Sequence, residues 1–169
     1  MDTVTELLNW LESTPLAVYI AESTIAFPVI EIVHVVAITL VFGTIAIVDF
    51  RLLGLGSNNR AVTELCRDVL PWTWAAFAIA TTTGALMFIH HAHEYFANTA
   101  FRMKMLLMLA AAINMIVFEF ITFRGVAKWD RGVPVAPAGK VAGVVSLVCW
   151  LGVVGFARWV GFTVGVPEQ

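Results

Sequence analysis

Charge is what this chain has least of. Ten Lys and Arg and twelve Asp and Glu make up 13% of 169 residues, against about a quarter in an ordinary soluble domain. The formal net charge of −2 leaves no basic face, which excludes nucleic acid as a partner. Cysteine is nearly absent too: Cys66 and Cys149 are far apart and form no Cys-x-x-Cys pair, so a disulfide framework or thiolate metal cluster is excluded and both read as packing residues. The N-terminus Met-Asp-Thr-Val-Thr-Glu lacks the positive region of a signal peptide, so no cleavage is expected. Neither an internal repeat nor a low-complexity tract is present.

What fills the chain is apolar: 60% of residues, with a mean hydropathy of +0.87. Four stretches, at about 24–50, 71–95, 101–123 and 140–164, are long enough to cross a hydrocarbon layer about 30 Å thick. Lipid offers the backbone no partners, so each must be helical. The second starts at Pro71, read as a helix N-terminus where a missing N–H costs nothing. Ahead of the first span, Thr3-x-x-Glu6 reads as a capping box, Leu7, Leu8, Trp10 and Leu11 form an apolar stripe, and Thr14-Pro15 restarts a second short helix. Residues 3–22 are therefore expected to be an amphipathic hairpin in the membrane interface, anchored by Trp10 and Tyr19. The fold expected is all-α: one transmembrane domain over residues 1–169, an integral membrane four-helix up-down bundle with an N-terminal interfacial helical hairpin.

Cations give the orientation. The first connection carries Arg51, Arg60 and Arg67 and the third carries Arg124, Lys128, Arg131 and Lys140, whereas Arg102 and Lys104 alone oppose them. The positive-inside rule then puts both termini outside, with the chain multi-pass in a bacterial inner (cytoplasmic) membrane.

Ionisable groups within spans are costly and so mark function. They are Glu31, His34, His90, His91, Glu119 and Arg158, with His93 and Glu94 just beyond. At 1.5 Å per residue, His34 lies roughly 15 Å in from Thr24, His91 roughly 10 Å in from Asn98 and Arg158 roughly 13 Å in from Pro167. Imidazoles from two helices at one depth are what haem b needs for its two axial positions. His34 and His91 are the expected ligands, with His90 the alternative to His91; Gly84 and Phe88 share the His91 side of the helix, and Arg158, Lys104 and Arg102 could meet the propionates. Glu31 is the candidate proton carrier.

Plainer readings compete at each position. His34 could be a polar group hydrogen-bonded across helices, the histidines at 90, 91 and 93 a wet helix end, and Glu31 and Arg158 a structural ion pair. The methionines read as packing. A metal site without haem could instead use His90, His93 and Glu94, with copper the favoured ion.

The runs FPVIEIVHVVAITLVFGTIAIVDFRLLGL, LPWTWAAFAIATTTGALMF, FRMKMLLMLAAAINMIVFEF and AKWDRGVPV resemble a bacterial family of four-helix membrane proteins of unknown function, over nearly the whole chain. His34, Asp49, Arg51, Pro71, Trp72, Gly84, Lys104, Asn114, Trp129 and Asp130 match its pattern. The chain departs from part of that family at His90 and His91, which some members lack, and at Glu119, where many have histidine. More remotely, His34 followed by Gly43 is similar to copper-resistance-D-like proteins and to haem-b protoporphyrinogen oxidases, which implies a haem-ligand role for His34 alone.

The expected function is a b-type cytochrome with one haem b, passing electrons between membrane quinone and an outer-face or periplasmic redox partner, either as a haem-dependent oxidoreductase or as an electron-transfer subunit. Copper handling and a cofactor-free structural membrane subunit are the alternatives. Gly143, Gly152, Gly155 and Gly161 permit close helix contact within the chain or in a homo-oligomer.

Overall fold

The computed structural model describes residues 3–55, 60–130 and 132–164. Arg131 and Pro167, used above for orientation and depth, lie outside them. The elements are all helical: α1 (Thr3–Glu12), α2 (Pro15–Glu22), α3 (Ala26–Leu53), α4 (Val62–Ile89), α5 (Ala92–Ala97), α6 (Thr99–Val117) and α7 (Pro137–Thr163). The end of α6 loosens into a π-helical turn, Phe118–Thr122, and a 3-10 stretch, Phe123–Lys128. Among the described residues, four helices are long and apolar enough to cross a membrane: Ala26–Leu53, Val62–Ile89, Thr99–Ile121 and Pro137–Thr163.

Local chemistry sets the boundaries. Thr14 caps α2 by accepting the Ala17 N–H, with Pro15 in the first turn, as the sequence suggests. The Ser23 hydroxyl accepts the N–H groups of Ile25 and Ala26 where α3 begins. At the far end of α3, Gly54 has φ +78°, a left-handed residue that lets its own N–H and that of Leu55 reach the last carbonyls.

The start of α4 differs from expectation, because Pro71 sits inside the helix and Val62 begins it. The cap comes from far along the chain. Asp130 accepts the Thr63 N–H at 2.9 Å and the Thr63 hydroxyl at 2.8 Å, and its carbonyl takes the Val62 N–H at 3.1 Å. These bonds stabilise the polar first turns of α4 against the loss of one backbone bond at Pro71. Arg51 completes the knot, donating from Nε to the Arg60 carbonyl and from Nη2 to the Asp130 carbonyl. Around it Leu52, Val62, Cys66, Trp129 and Val135 pack as a buried cluster.

Partial burial pushes the Asp130 carboxyl up, but the bonds from Thr63 prevail and hold it below its ordinary value. Its contribution to stability is therefore present above the ordinary carboxylate range and is lost as pH falls through the lower folded value. Asp130→Asn keeps an accepting oxygen without that titration. A thermal melt of the purified chain should lose less stability in acid for this variant than for the parent; equal acid sensitivity would show that other carboxyls govern it.

Helix α3 packs against α4 on one side and α7 on the other, and α7 packs against α6. Small residues make these approaches possible. A Cβ on Gly143 would lie 3.2 Å from the Asp49 carbonyl oxygen, and one on Gly152 would lie 2.7 Å from Leu107 Cδ1. By contrast Gly155 and Gly161 have open space beside them. Between α4 and α6 there is little direct contact, so the ring of helices is left unclosed there. Large apolar side chains such as Ile32, Ile47, Leu109, Val148 and Leu151 point outward on every face, which suits hydrocarbon and not water.

Candidate functional site: a crevice between α4 and α6

Two mostly apolar cavities lie end to end in the gap, one of about 460 Å³ toward the chain termini and one of about 600 Å³ toward the Asp130 knot. They share Val41, Phe77, Met108 and Trp150, so the crevice runs through the protein. Volumes of about 300–1,000 Å³ are typical of small-molecule sites.

His34 is the polar centre of the termini-end cavity. Its Nδ1 lies 2.9 Å from Thr83 Oγ1, and that oxygen lies 2.7 Å from the Ile79 carbonyl. Threonine has one hydroxyl proton, which goes to the carbonyl as in any back-bonded helical threonine. With the hydroxyl proton on the carbonyl, the imidazole donates through Nδ1 and keeps a lone pair on Nε2; these roles follow from that assignment of the proton. In metal sites a ligating imidazole is commonly tied in this way, with its second nitrogen on a protein acceptor. Gly84 makes room for the ring: a Cβ there would sit 3.1 Å from His34 Cε1. Lys104 lines the same cavity from α6, its Nζ 4.6 Å from the centre of the Phe101 ring. Phe88 also lines it and stacks on Phe101 at 5.7 Å. Leu11 of α1 closes part of the wall.

Of the residues expected at a haem site, the crevice brings together His34, Gly84, Phe88 and Lys104. The others lie elsewhere. His91 is at the α4–α5 break with Nδ1 3.3 Å from Glu94 Oε1, and neither cavity includes it. Depth counting placed it level with His34 by running one straight helix through residue 95. Instead α4 stops at Ile89, and the partner of His34 is Thr83, eight residues before His91 and so about 12 Å away along a helix. The His90 ring lies between Phe27 and His91, its Nδ1 buried without a hydrogen bond. His93 is clipped to α1: Glu12 accepts its N–H at 2.9 Å and faces its Nδ1 at 3.1 Å. Burial pushes the Glu12 carboxyl up, but these His93 contacts prevail and hold it low. Arg102 donates to the Ala97 carbonyl, and Arg158 lies over the Phe162 ring. Glu31 is exposed, and no ion pair joins it to Arg158. Among the described residues, no group of three or more His, Cys, Asp or Glu is disposed to hold a metal ion by itself.

The knot-end cavity holds polar residues to which the sequence analysis gave no role at a site. Asp49 on α3 is 4% exposed, with Oδ2 fully shielded and without a hydrogen-bond partner. Ser146 on α7 faces its carboxyl. Asn114 on α6 donates from Nδ2 to the Ala142 carbonyl at 3.0 Å, and Glu119 enters the wall from the π-helical turn. The available signal was one carboxylate inside the run IAIVDFRLL, at the margin of the first span.

No match was found among curated proteins or among solved structures. A family model described as a family of unknown function, DUF6644, matches residues 7–163. Since that is nearly the whole chain, including both cavities and the Asp130 knot, the protein belongs to the DUF6644 family.

Proposed function

We propose that this protein is a b-type cytochrome of the bacterial cytoplasmic membrane, a four-helix up-down bundle whose N-terminal helices lie in the interface, binding haem b in the termini-end cavity through His34. The observation that carries the reading is the His34 imidazole, held through Nδ1 by Thr83 with its Nε2 lone pair left for a ligand in an apolar cavity. The donor set fits the group. Imidazole is a common axial ligand, Gly84 leaves the ring its space, and Lys104 can neutralise a propionate by a charge-assisted bond. Haem b supplies reversible one-electron chemistry when bound.

The chain's own residues do the rest. Thr83 fixes the tautomer and the plane of the imidazole, Phe88 and Phe101 exclude water at the termini end, and α1 is clipped over that end by Glu12 and His93. The role assigned is electron transfer between membrane-dissolved quinone, which can reach the crevice from lipid between α4 and α6, and a redox partner at the termini face. The cation bias puts that face outside the cytoplasm.

A pyridine haemochrome assay on purified protein tests the reading. About one haem b per chain is expected, in line with a single ligating imidazole in the cavity; a colourless preparation from haem-replete cells overturns it.

A further inference from the structure

We infer that the knot-end cavity is a phospholipid site: it takes an acyl chain of an ethanolamine-type phospholipid, with the headgroup phosphate on Arg67 and the headgroup ammonium on Glu119. The inference goes beyond the electron-transfer role and does not depend on it.

Each wall of the gap carries one charge at its knot end. Arg67 stands on α4 and Glu119 on the π-helical turn that follows α6, and both line the cavity of about 600 Å³. The Glu119 carboxylate is within electrostatic reach of the Cys66 thiol, next to Arg67 in the chain, which puts both charges at one mouth of the gap. Both residues are exposed, and both fall within helices long and apolar enough to cross a membrane. A charge on a span is costly unless it is paired. Yet among the described residues neither side chain makes an ion pair, whereas Arg60 close by is paired with Asp68.

The chemistry of the occupant follows from these two charges. A cation and an anion at the mouth of an apolar cavity match a zwitterionic headgroup, while a purely anionic head would meet like charge at Glu119. The guanidinium fork of Arg67 suits two phosphate oxygens. An ionised carboxylate only accepts, so Glu119 favours an ammonium that still carries N–H over a trimethylated one. Deeper in, the wall is mostly apolar, from Leu70 and Phe118 to Phe77 and Met108, which suits an acyl chain. The sparse contact between α4 and α6 lets that chain enter sideways from the bilayer.

The test is native mass spectrometry of the full chain, purified in mild detergent and equilibrated with equal amounts of phosphatidylethanolamine, phosphatidylglycerol and phosphatidylcholine carrying the same acyl chains. Phosphatidylethanolamine is expected to be retained about tenfold over either of the others. Glu119→Gln should remove that preference and raise phosphatidylglycerol to the same level, whereas Arg67→Gln should cut retention of all three about tenfold. Both positions are exposed, so both variants should keep the parent's circular dichroism spectrum. Ala112→Phe fills the cavity without altering either charge and should cut retention whatever the headgroup. A parent that holds phosphatidylglycerol or phosphatidylcholine as well as phosphatidylethanolamine, an unchanged preference in Glu119→Gln, or parent-like retention in Ala112→Phe would each overturn the inference. Haem plays no part in the readout. A colourless protein with this preference therefore sinks only the His34 reading, and a coloured one without it sinks only this site.

Discussion

Replacing Gly84 with valine is expected to empty the His34 cavity of its cofactor while leaving the four helices folded. Even the first atom of a side chain at this position would stand 3.1 Å from His34 Cε1 and 3.7 Å from Nδ1. Alanine asks the ring to give by a few tenths of an ångström; the branched carbons of valine demand a rotation. Rotation breaks the 2.9 Å contact with Thr83, and with it the tautomer and aim of Nε2. Haem retention should fall in the order Gly84, Ala, Val, with valine at or below about a tenth of the parent, in keeping with loss of an outer-shell partner. Gly155 has open space around it, so Gly155→Ala serves as the neutral comparison. Equal haem content in Gly84→Val and the parent would mean that the ring does not need this niche.

The second large effect is expected at the other end of the molecule. Arg51 is 3% exposed and ties two loops at once, through Nε to the Arg60 carbonyl at 3.0 Å and through Nη2 to the Asp130 carbonyl at 3.1 Å. Its loss removes the side-chain bonds to the Arg60 and Asp130 carbonyls and loosens the residue that caps α4. Arg51→Ala should cost about 3–5 kcal/mol, from the loss of two charge-assisted bonds at about 1.5–3 kcal/mol each together with the packing of a buried side chain. Arg51→Lys should recover little, because an ammonium lacks the fork that spans two acceptors. Unfolding of the purified protein in mixed micelles, followed by circular dichroism, reads both variants. A parent-like transition for Arg51→Lys would show that charge alone suffices there.

The four long helices are visible in the sequence because lipid demands uninterrupted apolar runs. So is the break at Thr14-Pro15, whose signals are local. The beginning of α4 is not, since its cap is a side chain 67 residues downstream of the N–H that it accepts. Within the first turns of α4, Glu64, Arg67 and Asp68 give the look of a loop to what is helix. His34 stands out as a lone imidazole in an apolar run, and Gly84 as a small residue in another. That Thr83 rather than His91 faces His34 follows only from where α4 ends. Asp49 stands near the end of the first expected span and was given no role there, whereas α7 packs close enough at Gly143 to bury it. The Glu31–Arg158 ion pair weighed as a plainer reading does not form, since similar depth on two helices does not make two side chains face one another.

The central claim is that the crevice, and not the histidine end, holds the cofactor. Haem content of purified His34→Leu and His91→Leu, prepared side by side from the same host, separates the two most directly. The account predicts a colourless His34→Leu protein that still folds and a His91→Leu protein with the parent's haem content and spectrum. Loss of haem in His91→Leu together with its retention in His34→Leu would contradict it.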